Sequence, residues 1–156
     1  MMDKLTQIYT DLDKGTSKRN TSSANLRVIK WKSALEVFQS NFLVGVGTGD
    51  VNEELVKEYT RKNFYWGIRD KYNAHNQYLE IAIALGIVGL VVWLLNLAVP
   101  FYNSLIAKEY LYTEFIFIFS LSCLTESMLC AQKGVVFYAF FNSLFLFQLM
   151  PKAIKN

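Results

Sequence analysis

The sequence predicts an all-α integral membrane protein, with three C-terminal transmembrane helices behind a helical extramembrane segment. Two observations carry this. Charge is unevenly placed: residues 1–78 hold 12 of the 16 Lys and Arg and 9 of the 13 Asp and Glu, and the rest of the chain holds four of each. The run Ile81–Val99 is apolar except for Asn96, and a helix of that length reaches about 28 Å, close to the thickness of a bilayer core. With 53% hydrophobic and 15% aromatic residues in 156, the apolar load exceeds that of an ordinary soluble domain. The chain divides into a polar segment at 1–24, a loop region with an amphipathic helix at 25–78, and a membrane part at 79–156. Spans are expected near 79–99, 111–130 and 134–150.

The front half is polar from the start. Met1–Thr21 has no apolar core of a secretory signal. Leu5, Ile8, Tyr9 and Leu12 form a weak helical pattern that ends at Gly15, and Thr16–Ala24 reads as a loop. From Asn25 the pattern is clearly helical. Trp31, Ala34, Leu35, Phe38 and Phe42 make one apolar stripe, with Lys30, Lys32, Ser33 and Gln39 mostly elsewhere around the cylinder. Ser22, Ser23 or Asn25 is the expected cap and Gly45 the stop, giving about five turns that lie on a membrane surface or on other helices. Gly45–Gly49 lacks the Gly-Lys-Ser/Thr of a phosphate loop and reads as a sharp turn. Asp50–Arg61 is a charged helix with Leu55, Val56 and Tyr59 on one side. Lys62–Lys71, with Phe64, Tyr65, Trp66 and Arg69, suits either an interfacial aromatic belt or sugar-ring stacking.

In the back half, Pro100–Tyr110 is a short polar connection. Glu126, near the end of the second span, reads either as a functional intramembrane carboxylate or as a headgroup-level partner of Lys133. Cys123 and Cys130 both fall in that span and read as small packing residues. Gly86 and Gly89 lie three apart on one helix side, where they let a neighbouring helix approach. By the charge rule Lys108, Lys152 and Lys155 favour a cytoplasmic short loop and tail, with the polar half opposite. Arg61, Lys62, Arg69 and Lys71 ahead of the first span argue the other way. A long polar segment obeys the rule weakly, so the tail carries the vote. A net charge of +3 without a basic stripe gives no case for nucleic acid, and a single histidine with no Cys/His cluster gives none for a metal or cofactor.

That histidine, His75, stands where the polar segment turns apolar, in Asn73-Ala74-His75-Asn76-Gln77-Tyr78. Asn73 or Asn76 is placed to cap the first turn of the long helix. The positive end of the helix dipole disfavours a second charge there, so the ring is expected to be neutral near pH 7, the form a general base needs.

Three patterns occur in order: Arg27-x-x-x-Trp31; Phe42-Leu43-Val44-Gly45-Val46-Gly47; and His75-Asn76, nine residues, Gly86-x-x-Gly89. Together they resemble the O-antigen ligase and polymerase family of bacterial membrane glycosyltransferases, with Phe42 where that family commonly has proline. The resemblance implies a metal-independent helical enzyme of the C-superfamily type that moves a glycan from undecaprenyl diphosphate to an acceptor hydroxyl. The acceptor is lipid A–core in ligases and another glycan in polymerases. The resemblance places the chain in the bacterial inner membrane as a multi-pass protein, with the polar loop in the periplasm. His75 is then the expected base and Arg27 the cation at the leaving diphosphate, with Asn76, Arg69 and Trp31 as substrate-binding residues. The family's preceding spans have no counterpart, so the chain is expected to be the C-terminal part of such an enzyme, dependent on N-terminal transmembrane helices and inactive alone. A non-catalytic membrane scaffold or remnant is the alternative outside enzymes.

Overall fold

The computed structural model describes residues 23–153, and among them every regular element is helical. These are α1 (Ser23–Ser40), α2 (Val51–Arg61), α3 (Tyr65–Asp70), α4 (Gln77–Ile106), α5 (Tyr110–Thr125), a 3-10 turn (Met128–Cys130) and α6 (Gln132–Ala153). The pattern expected in Met1–Asn20, and the Ser22 cap, lie outside the described residues.

Helix α1 has its five turns but ends at Ser40, before the expected glycine stop. The Asn41 amide donates back to the Val37 carbonyl at 3.1 Å, and Gly45 N–H donates to Asn41 O at 2.9 Å. Its buried side is not the apolar stripe. Ala34 and Val37 are buried together with Lys30 and Ser33, while Leu35 and Phe42 stay exposed. The reason is tertiary. The helix packs against both α2 and α4, so it has two contact directions rather than the single one a stripe assumes. Helix α2 buries Val51, Leu55 and Tyr59 at four-residue spacing. Glu36 of α1 accepts from Lys62 at 2.9 Å and from Arg61, joining α1 to the end of α2.

Helix α4 is the spine, and it is broken. Gly86 takes φ 67°, ψ −162°, outside helical space and in a region that disfavours any residue with a Cβ. The break leaves backbone groups without intrahelical partners, and the loop after α1 supplies them. Val46 and Gly47 donate their N–H groups to the carbonyls of Ile83 and Ala84, each at 2.9 Å, and Ile87 N–H donates to Phe42 O at 2.8 Å. What approaches Gly86 closely is thus the Leu43–Val44 backbone rather than a neighbouring helix. Beyond the break the helix runs on through Pro100 to Ile106, past the expected end at Val99. A proline costs one backbone bond and a local clash, which a long apolar helix with packed neighbours accommodates.

Two cores hang on this spine. One joins Ala34, Val37, Leu55, Tyr59 and Phe64 to Ile83 and Ala84, so the polar half docks on the first turns of α4. The other joins Trp93 and Leu97 to Tyr112, Ile116, Phe119, Cys123 and Tyr138. Within it, Tyr138 OH donates to Asn96 Oδ1 at 2.6 Å and Tyr112 OH to Asn142 Oδ1 at 2.9 Å. Apolar environments hold such pairs because water does not compete for them.

Of the expected spans, α4 is long and apolar enough to cross a membrane, and α5 is a shorter apolar helix. The third falls within α6. Helix α5 stops at Thr125, leaving Glu126 extended at φ −140°, ψ 148°, and Cys130 in the 3-10 turn rather than inside a span. Cys123 is buried, Cys130 is exposed, and both are free thiols.

Candidate functional site

The site forms where the start of α4, the end of α5 and the front of α1 meet. Asn76 makes the junction. Its Oδ1 accepts from the N–H groups of Tyr78 and Leu79 at 3.0 and 3.1 Å, capping α4 as expected. Its Nδ2 donates to the Leu124 carbonyl at 3.0 Å, tying the first turn of α4 to the last turn of α5. The amide is thereby engaged on both sides.

His75 precedes this cap with φ 48°, a left-handed conformation that costs a non-glycine residue on the order of 1 kcal/mol and recurs at functional positions. Asn73 holds it there, its Oδ1 accepting from His75 N–H at 3.2 Å. The turn aims the imidazole across the junction, where Nδ1 lies 3.1 Å from Glu126 Oε2. The other carboxylate oxygen, Oε1, lies 3.8 Å from an Arg27 guanidinium nitrogen. Glu126 therefore stands between the two residues expected to carry chemistry. A carboxylate accepts, so a neutral ring carries its proton on Nδ1 and presents Nε2 with a free lone pair. The three side chains are between one third and one half exposed, so the group is open to a ligand. Among the described residues Glu126 makes no ion pair with Lys133.

Sequence reasoning passed over two further residues. Lys30 is 7% exposed, and its Nζ sits 4.0 Å from the centre of the Tyr72 ring, which stacks edge-on to His75 at 6.4 Å. Burial first, then the neighbouring Arg27, holds its pKa below the ordinary value of 10.5, against the opposing pull of Glu126. Glu80 is buried behind the His75 turn, its Oε1 accepting from Ala74 N–H at 2.6 Å and from the Ser127 hydroxyl at 3.4 Å. A lysine off the apolar stripe and a glutamate in a first helical turn both look like ordinary solvated charges, so no sequence signal marked them.

Among the described residues neither Arg69 nor Trp31 makes a hydrogen bond or ion pair with His75, Glu126 or Arg27. Arg69 is paired with Asp70 at 2.7 Å and covers the Trp66 ring at 4.4 Å. The indole N–H of Trp31 is buried with no hydrogen-bond partner among the described residues.

Two cavities border the site. One, of about 560 Å³, is lined mainly by apolar groups and runs from Glu126 and Ser127 past Lys133 to Phe137. The other, of about 520 Å³, lies beyond the His75 turn and carries polar groups from Asn52, Lys71, Asn73, Gln77 and Glu80. Among the described residues no group of His, Cys, Asp and Glu is arranged to hold a metal.

A broken helix, long and apolar enough to cross a membrane, thus begins at an open histidine–carboxylate–arginine group. The O-antigen ligase family model matches residues 2–94, more than half of the chain, and the chain belongs to that family. No curated protein and no solved structure matches it. The matched stretch contains Arg27, the Gly45–Gly47 loop, His75 and Gly86, and membership supports a membrane glycan-processing function.

Proposed function

We propose that this chain is the C-terminal, site-bearing part of an O-antigen ligase-type transferase, which moves a glycan from a polyprenyl diphosphate, undecaprenyl diphosphate in this family, to an acceptor hydroxyl. The observation that carries the reading is the placement of Glu126 between His75 and Arg27. In the proposed step the acceptor oxygen attacks the anomeric carbon and its proton passes to His75 Nε2. The bond from that carbon to the diphosphate oxygen breaks, and the electron pair leaves on the diphosphate. Glu126 holds the ring by Nδ1 and offsets the charge that develops on it. Arg27, only loosely held by Glu126, is free to turn its fork onto the departing phosphate oxygens.

The surroundings suit both substrates. The apolar cavity beside Glu126 accommodates a prenyl chain next to the diphosphate position. The polar cavity behind His75 offers amides and a carboxylate, the mixed donors and acceptors that saccharide hydroxyls need. In this reading the polar half faces the periplasm of a bacterial inner membrane, α6 supplies a further span, and N-terminal transmembrane helices complete the lipid groove. The acceptor is lipid A–core or a growing glycan.

The test is to replace His75 and Arg27 by alanine in the chromosomal gene and inspect the surface glycan. A ligase leaves the core bare when either residue is lost, and a polymerase leaves single repeats on the core. An unchanged glycan in both variants sinks the transferase reading and leaves a non-catalytic scaffold.

A further inference from the structure

Lys30 is a buried ammonium without an anion. It lies one helical turn beyond Arg27, and among the described residues no carboxylate comes within ion-pair distance of its Nζ; its contact is the face of Tyr72. The acid whose charge Lys30 feels is Glu126, already shared by Arg27 and His75. Two basic side chains, Arg27 and Lys30, therefore share one carboxylate. Burying an uncompensated ammonium is costly, and a cation–π contact returns only part of that cost. A lysine kept for packing alone would be better replaced by an apolar residue of similar length. What balances the local charge is an anionic ligand, and phosphate oxygens are the acceptors an ammonium and a guanidinium one turn apart hold together.

We propose that Lys30 is a further phosphate-binding residue of this site, resting on Tyr72 when the site is empty and taking a donor diphosphate oxygen alongside Arg27 when it is filled. The inference rests on the transferase reading above, but it assigns a role to a residue outside that scheme. The Tyr72 ring is well suited to such a rest position. Its hydroxyl donates to Asp70 Oδ2 at 2.9 Å, and its carbonyl accepts from Tyr59 OH at 3.2 Å, so the ring is held in place.

The experiment uses the chain joined to the N-terminal transmembrane helices that the transferase reading requires, in phosphatidylcholine nanodiscs, titrated with farnesyl diphosphate as the probe and read by thermophoresis. Wild type binds, Lys30→Gln binds roughly 10- to 100-fold more weakly, as expected for losing one charge-assisted hydrogen bond, and Lys30→Arg stays within about threefold. Lys32→Gln, an exposed charge on the same helix, is unchanged. Lys30→Met also raises the unfolding temperature, the opposite sign from a lysine kept for structure. If Lys30→Gln binds as wild type while Arg27→Gln is weakened, the Lys30 assignment falls and the transferase reading stands. If wild type fails to bind, or neither variant weakens binding, both fall. If phosphatidylglycerol in the discs displaces the probe, the phosphate belongs to a lipid headgroup, and the assignment to the donor is overturned.

Discussion

Gly45 faces the Ile83–Ala84 backbone of α4, and Gly86 faces the Leu43–Val44 backbone of the loop. A Cβ on Gly45 would stand 2.5 Å from the Ala84 carbonyl, and a Cβ on Gly86 would stand 2.4 Å from the Leu43 carbonyl. Both residues also take positive φ, 70° and 67°. The two glycines thus lock the loop after α1 into the break in α4. Alanine at either position meets a rigid backbone and a disfavoured φ, so each substitution is expected to cost about 2–4 kcal/mol. Gly49→Ala, with nothing within 4 Å of its would-be Cβ, should change stability by less than about 0.5 kcal/mol. Thermal unfolding of the detergent-solubilised variants separates these outcomes.

Asn76 is expected to be a positioning residue. Asn76→Ala removes the α4 cap and leaves the Leu124 carbonyl without its donor, at a cost of about 1–2 kcal/mol. Asn76→Asp retains the cap and loses only the tie to α5, so it should recover most of the stability while the transfer rate stays low. Equal stability of wild type and Asn76→Ala would exclude this role.

Glu126 should act through His75. His75→Ala is expected to lower transfer by roughly 10²–10⁴-fold. Glu126→Gln keeps an acceptor for Nδ1 and removes the charge, for a loss on the order of 10–100-fold, carried in kcat with little change in the donor KM. Glu126→Asp should restore part of it. A change confined to donor KM would instead make Glu126 a binding residue.

The tie between α1 and α2 should loosen in acid. Hydrogen bonding from Lys62 holds the Glu36 carboxyl below its ordinary value of 4.5. A group whose folded pKa is depressed stabilises above its unfolded value and loses that contribution as pH falls through the folded one. Wild type should therefore be more stable than Glu36→Gln at pH 7, by a small margin because the pair is exposed, and the gap should shrink as pH falls below the ordinary carboxyl value of 4.5. Denaturant midpoints measured from pH 7 to pH 3 check this, and a gap undiminished at pH 3 would contradict it.

The sequence by itself determined what depends on near neighbours. Five turns of helix followed from the spacing in 25–42, the long span from the apolar run at Ile81–Val99, and the capping of α4 from Asn76 beside it. The three short patterns in order pointed to the family that the matched residues 2–94 bear out. Only the tertiary structure decided what depends on distant ones. Glu126 reaches His75 from 51 positions away, and it meets Arg27 from 99 positions away. Lys30 becomes buried because α1 has two packing partners rather than one. Gly86 breaks a helix that its apolar neighbours would otherwise continue, because another segment satisfies the freed carbonyls. Periodicity reports which side of a helix is apolar. Which residues meet across the junction is set by how rigid helices dock, and that is a property of the whole fold.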